Sequence, residues 1–224
     1  MKLLPVTAAA SLAAILFAVP SAEAAHSHAA AAESPAQTST QAAPASAKLK
    51  ATQTALRALW QGHVDAVRKV VVAEIAGNSA ALKTAEGEVV ANAHGIANAI
   101  APYYGQPAAD KLFPLLAGHY GAVKAYLDAS VAKDAKAQGA ATDKLTSNAD
   151  QIATFLSTAN PHLPKATLME LLQVHASHHI DQIQELIAKD TAAEVKTRAA
   201  MSAHMNVIAD ALANGIAAQF PAKF

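Results

Sequence analysis

The chain has no cysteine. That excludes a disulfide framework, lipid attachment through a thioether, and the Cys-x-x-Cys-His motif that fastens haem covalently. It also carries no surplus of charge: 17 Lys and Arg balance 17 Asp and Glu, so neither nucleic acid nor an anionic membrane surface is implied as a partner. No stretch alternates with period two for long enough to suggest a sheet. The enzyme signatures Gly-x-Ser-x-Gly and His-Glu-x-x-His are missing, as are a phosphate loop and a dinucleotide fingerprint. Glu-x-x-His is absent as well, which disfavours a di-iron site of the ferritin type.

What is present begins at the N-terminus. Met1-Lys2, an apolar run from Leu3 to Val19 and the segment Ser21-Ala22-Glu23-Ala24 have the form of a secretory signal with an Ala-x-Ala site. The run is short for a membrane span and no stop-transfer flank follows it. The expectation is therefore cleavage after Ala24, no membrane span thereafter, and a periplasmic or secreted destination. Residues 25–48, rich in Ala, Ser and Pro, bury too little to offset their ordering entropy and read as a disordered tether. From residue 49 to 221 apolar residues recur at spacings of three and four, as in Leu56, Leu59, Trp60, His63, Val67, Val70 and Val71. Gly, Pro, Asn and Asp punctuate six helices at about 49–76, 82–101, 107–133, 138–158, 165–189 and 192–219. The predicted fold is an all-α six-helix bundle.

The bundle sequence repeats. Leu56, Leu112 and Leu168 match at a shift of 56, as do Leu59, Leu115 and Leu171, and Ile96, Ile152 and Ile208. Ala132-Lys133-Asp134 returns as Ala188-Lys189-Asp190. The expected unit is an αα-hairpin of 56 residues, present three times. Three of the ten histidines obey the same shift, His63, His119 and His175, and each falls on the apolar stripe of the first helix of its hairpin. Asn92, Asn148 and His204 correspond in the second helices, displaced in depth by about 4.5 Å. The six positions are expected to face inward as one polar layer. His178 and His179 follow His175 by three and four residues, on the same face.

Two chemistries account for such a layer. One is a metal site holding zinc or copper, with His63, His119, His175 and His204 as inner ligands and His179 and His178 beside them. The other is a structural network of imidazole and amide groups that satisfy one another in a scaffold or in a module that binds another envelope protein. Acidic residues such as Glu86, Glu88 and Glu194 fall at positions that read as exposed, which argues against calcium, magnesium and di-iron. Asp65, Asp181 and Asp210 either orient a histidine or are solvated helix charges. Haem is disfavoured for want of an attachment motif. Ala25-His26-Ser27-His28 is a second, terminal candidate for copper or nickel. Trp60 is expected in the core, and Tyr103 and Tyr104 at an end of the bundle.

Leu59-Trp60-Gln61-Gly62-His63-Val64, Asn98-Ala99-Ile100-Ala101-Pro102-Tyr103-Tyr104-Gly105, Asn148-Ala149-Asp150, Ala159-Asn160-Pro161 and Gln219-Phe220-Pro221 together resemble a family of small, all-helical bacterial proteins without an established activity. The resemblance spans most of residues 56–221. It implies the helical fold and no particular chemistry. His94, His178 and His179 depart from the family pattern.

Overall fold

A computed structural model describes residues 46–224. The predicted signal sequence and most of the predicted tether, with His26 and His28, lie outside the described residues. The described part is all helical: α1 (Ala47–Ile75), α2 (Ser79–Asn98), the short α3 (Ala101–Tyr104), α4 (Gln106–Val131), α5 (Ala135–Ala159), α6 (Lys165–Ala188) and α7 (Thr191–Gln219), with a closing 3-10 turn at Pro221–Lys223. Six long helices agree with the hydrophobic spacing. The Pro-Tyr-Tyr segment, expected as a turn, forms the single helical turn α3. Among the described residues no helix is long and apolar enough to cross a membrane.

The breaks have local causes. Gly77, Lys133 and Lys189 all take positive φ, at 63°, 58° and 60°, the left-handed conformation that ends a helix by turning the chain away. The next residue in each case caps the following helix. Asn78, Asp134 and Asp190 accept the backbone N–H of Ala81, Ala137 and Ala193 through a side-chain oxygen, each at 3.0 Å. A residue that satisfies one of the four free N–H groups at a helix start sets where that helix begins.

These short connections reverse the chain, so α1, α4 and α6 run in one direction and α2, α5 and α7 in the other. Neighbours close a ring in the order α1, α2, α4, α5, α6, α7 and back to α1. Inside that ring α1, α4 and α6 also touch one another. The interior therefore belongs to three parallel helices, each backed by its antiparallel partner. One end of the interior is filled by Val67, Val70, Val71, Val89, Val123, Leu127, Leu145 and Ile183. Towards the other end lie Leu56, Trp60, Met201, Met205 and Ile208 on one side, and Ile152, Leu163, Leu168 and Leu172 on another. Along α1, α4 and α6 the histidines fall at the divide between the two halves.

Candidate metal centre

Because α1, α4 and α6 are parallel and meet in the interior, residues at matching heights on them converge. His63 on α1, His119 on α4, and His175 and His179 on α6 do so: one ligand nitrogen from each lies within 4.8 Å of all the others. The four residues are 6%, 7%, 2% and 1% exposed. Ring centroids stand 5.2 Å apart for His119 and His175, 5.5 Å for His63 and His175, and 6.1 Å for His63 and His119. His179 reaches the group because it follows His175 by one helical turn, with its Nε2 3.1 Å from the Nε2 of His175.

That is the one hydrogen bond within the cluster. His63 Nε2, His119 Nε2 and His175 Nδ1 are buried with no partner. Such nitrogens lose their water on folding and regain nothing, an uncommon state for buried polar atoms. Burial, together with the neighbouring His119, drives the His63 imidazole down to about 3, and burial drives His119 down to about 4. His175 and His179 are pushed well below the ordinary imidazole range by burial and then by the other histidines. All four rings are therefore neutral at pH 7 and keep a free lone pair, the form in which imidazole binds a metal. Around a tetrahedral zinc, nitrogen ligands at about 2.0–2.1 Å lie about 3.4 Å from each other. The observed spread needs only a small inward movement to meet that.

The other expected ligands stand elsewhere. His204, on α7, has its Nε2 2.8 Å from the Leu171 carbonyl of α6. A carbonyl only accepts, so this nitrogen carries the proton and has no lone pair to offer. Asn92 and Asn148 do the equivalent: each Nδ2 donates to a carbonyl of the preceding long helix, Leu59 and Leu115, at 2.9 Å. These three residues tie outer helices to inner ones rather than completing a layer. His178 packs against His204 with ring centroids 5.5 Å apart, and burial lowers its pKa with His204 adding to the effect. His94 stacks on Phe113 at 3.7 Å, between α2 and α4. The structure thus groups His63, His119 and His175 with His179, and leaves His204 and His178 as a separate pair. The i,i+4 spacing of His175 and His179 was the signal for this. The carbonyl that holds His204 belongs to another helix and left no trace in the sequence pattern.

The carboxylates do not orient histidines. Asp65 accepts from Arg198 and Asp210 from Arg57. Glu194, expected at the surface, is 3% exposed. Its Oε1 takes hydrogen bonds from Arg68 on α1 at 2.6 Å and from the buried Gln182 on α6 at 3.1 Å. The Arg68 guanidinium holds the Glu194 carboxyl below its usual range. That interaction joins α1, α6 and the first turn of α7, and a partner more than a hundred residues away cannot be read from helical periodicity. Trp60 is core, edge-on to His63 at 6.0 Å. Tyr104 closes one end of the bundle, donating to Gln219 Oε1 at 2.7 Å and accepting from Asn160 Nδ2 at 2.8 Å.

Comparison with protein-family models, with curated proteins and with solved structures finds no match to this chain.

Proposed function

We propose that the protein is an exported metal-binding helical bundle that stores, senses or delivers copper or zinc, held by His63, His119, His175 and His179. The observation that carries this reading is the convergence of four buried imidazoles whose nitrogens are mostly without hydrogen-bond partners. A structural network would have paired those nitrogens with one another or with amides. The amides at hand, Asn92 and Asn148, are committed to backbone carbonyls instead. The ring spacing leaves no room for a porphyrin plane within the cluster, which supports a bare ion over haem.

Copper ranks ahead of zinc for two reasons. Imidazole sites bind divalent copper more tightly than zinc in the general affinity order. The ligand group also contains no carboxylate, so the charge of the ion is not offset by its ligands. The cost of burying an ion grows with the square of its charge, which favours the singly charged cuprous state over any divalent metal.

Three further readings go with this one. The hairpin is a 56-residue repeat, supported by left-handed residues at 77, 133 and 189, by caps at 78, 134 and 190, and by carbonyl-directed side chains at 92, 148 and 204. Kinship with the small helical bacterial proteins rests on the Asn-Ala-Ile-x-Pro-Tyr-Tyr-Gly segment. Export rests on the form of the first 24 residues.

The test is equilibrium dialysis of the full chain, with His26 and His28 replaced by Ala, against cuprous copper under nitrogen and against zinc in air, followed by metal analysis. About one equivalent of copper per chain is expected, lost on His119→Ala. Retention of no metal at saturation sinks the reading and leaves the scaffold alternative.

A further inference from the structure

Between the histidine cluster and the Tyr104–Asn160 end, the three inner helices do not fill the space they enclose. A cavity of about 70 Å³ remains, walled by Ile96, Leu112, Leu116, Ile152, Leu172 and Ile208. His63, His119 and His175 form part of its lining, and Tyr104 and Asn160 another part. Protein cores ordinarily hold few voids larger than a water molecule, so a chamber at this place calls for an occupant.

The lining restricts what that is. Water inside a protein needs two to four polar partners. Over most of the chamber there are none, and at the Tyr104 end the hydroxyl and the Asn160 amide already bond each other and Gln219. Apolar cavities of this kind stay dry and accept apolar guests: one of about 150 Å³ takes benzene or xenon. This chamber has about half that volume, which excludes a benzene-sized ring, an acyl chain or a cofactor. The polar features left are the Trp60 Nε1 donor and the lone pairs of His63 and His119, all three buried without partners on residues that line the chamber.

We propose that this chamber is a binding site for a small, uncharged, apolar molecule of the size of a diatomic gas, such as dioxygen, nitric oxide or carbon monoxide, seated beside the histidine cluster. The apolar walls supply affinity without specificity, as expected for a guest with almost no polarity. The Trp60 N–H offers the one hydrogen-bond donor to a weakly accepting atom at the histidine end. His179 does not line the chamber, so the guest meets the cluster on the side formed by the other three rings. The site does not depend on a metal being bound.

Xenon is the probe, applied under pressure to the full chain in its metal-free form with isotope-labelled methyl groups. Saturable shifts are expected at Leu112, Leu116, Ile152 and Ile208, and not at methyls of the opposite end such as Val70 and Leu127. Ala93→Leu, which projects a larger side chain from α2 into the lining, is expected to abolish the shifts while the protein still unfolds cooperatively. Ile152→Ala works in the opposite direction: it enlarges the chamber, tightens xenon binding at least threefold and admits benzene. Shifts that do not saturate, that scatter over the surface, or that persist in folded Ala93→Leu overturn the proposal. So do magnetisation-transfer signals showing water resident against the Leu112 and Ile152 methyls. Because no metal is present, failure here is separate from failure of the metal reading, and so is success.

Discussion

At the scale of single residues the account turns on imidazoles kept neutral by burial. An unfolded chain protonates its histidines below about 6.5, whereas His63 and His119 in the fold resist protonation down to about 3 and about 4. Between those limits the unfolded state binds more protons than the folded one, so stability rises with pH there. The contribution is fully present above pH 6.5 and falls away as the pH drops towards 4. Each unit of pH withdraws up to about 1.4 kcal/mol per histidine. Urea unfolding of the metal-free protein is expected to give a stability several kcal/mol lower at pH 5 than at pH 7; a flat profile contradicts the burial of neutral rings. His119→Leu separates function from structure. It replaces a desolvated, unpartnered nitrogen by an apolar group of similar bulk, so the metal-free protein is expected to gain about 1–2 kcal/mol, read from the urea midpoint, while metal binding is lost. A structural network requires the opposite sign. That His63, His119 and His175 share a depth was legible in their common spacing of 56 residues. That His179 joins them while His204 does not depended on which helix faces which, and a single-helix period carries no such information.

At the scale of helices the sequence was most informative where the chain itself enforces the boundary. Gly77-Asn78, Lys133-Asp134 and Lys189-Asp190 each combine a left-handed residue with a capping oxygen, and the breaks were placed there from those residues. The helix starts were less legible: α2, α5 and α7 begin one to three residues earlier than hydrophobic spacing alone suggested, because the cap and not the first apolar residue sets the start. Lys133 and Lys189 hold a conformation that costs a side-chain-bearing residue about 1 kcal/mol or more. Glycine takes it without strain, so Lys189→Gly is expected to raise stability by roughly 0.5–1 kcal/mol, measured by the urea midpoint. Glu194 ties three helices together, and its burial escaped the sequence because Arg68 and Gln182 come from distant helices. Glu194→Ala leaves the 1%-exposed Gln182 amide unsatisfied and is expected to cost about 2–3 kcal/mol. A change under about 0.5 kcal/mol would mean that the contact is peripheral.

At the scale of the whole molecule, six helices in a ring give an interior owned by three parallel ones. That arrangement brings three residues of equal height to one point without any loop or metal-binding motif. It explains why the centre is built from single histidines far apart in the chain, and why no short signature announces it. The same geometry leaves the space beneath the rings only partly filled. The number of helices and their amphipathic faces were legible in the sequence; their closure into a ring was not, because the contacts of α7 with α1 and of α2 with α4 join faces whose partners are set only by packing. The most direct measurement of the central claim is X-ray absorption at the metal edge of the full chain, with His26 and His28 replaced by Ala, loaded with one equivalent of zinc. The expected result is a first shell of four nitrogens at about 2.0 Å with the outer-shell scattering of imidazole rings, and loss of one imidazole on His179→Ala. A shell dominated by water oxygen, or one unchanged by His179→Ala, would contradict it.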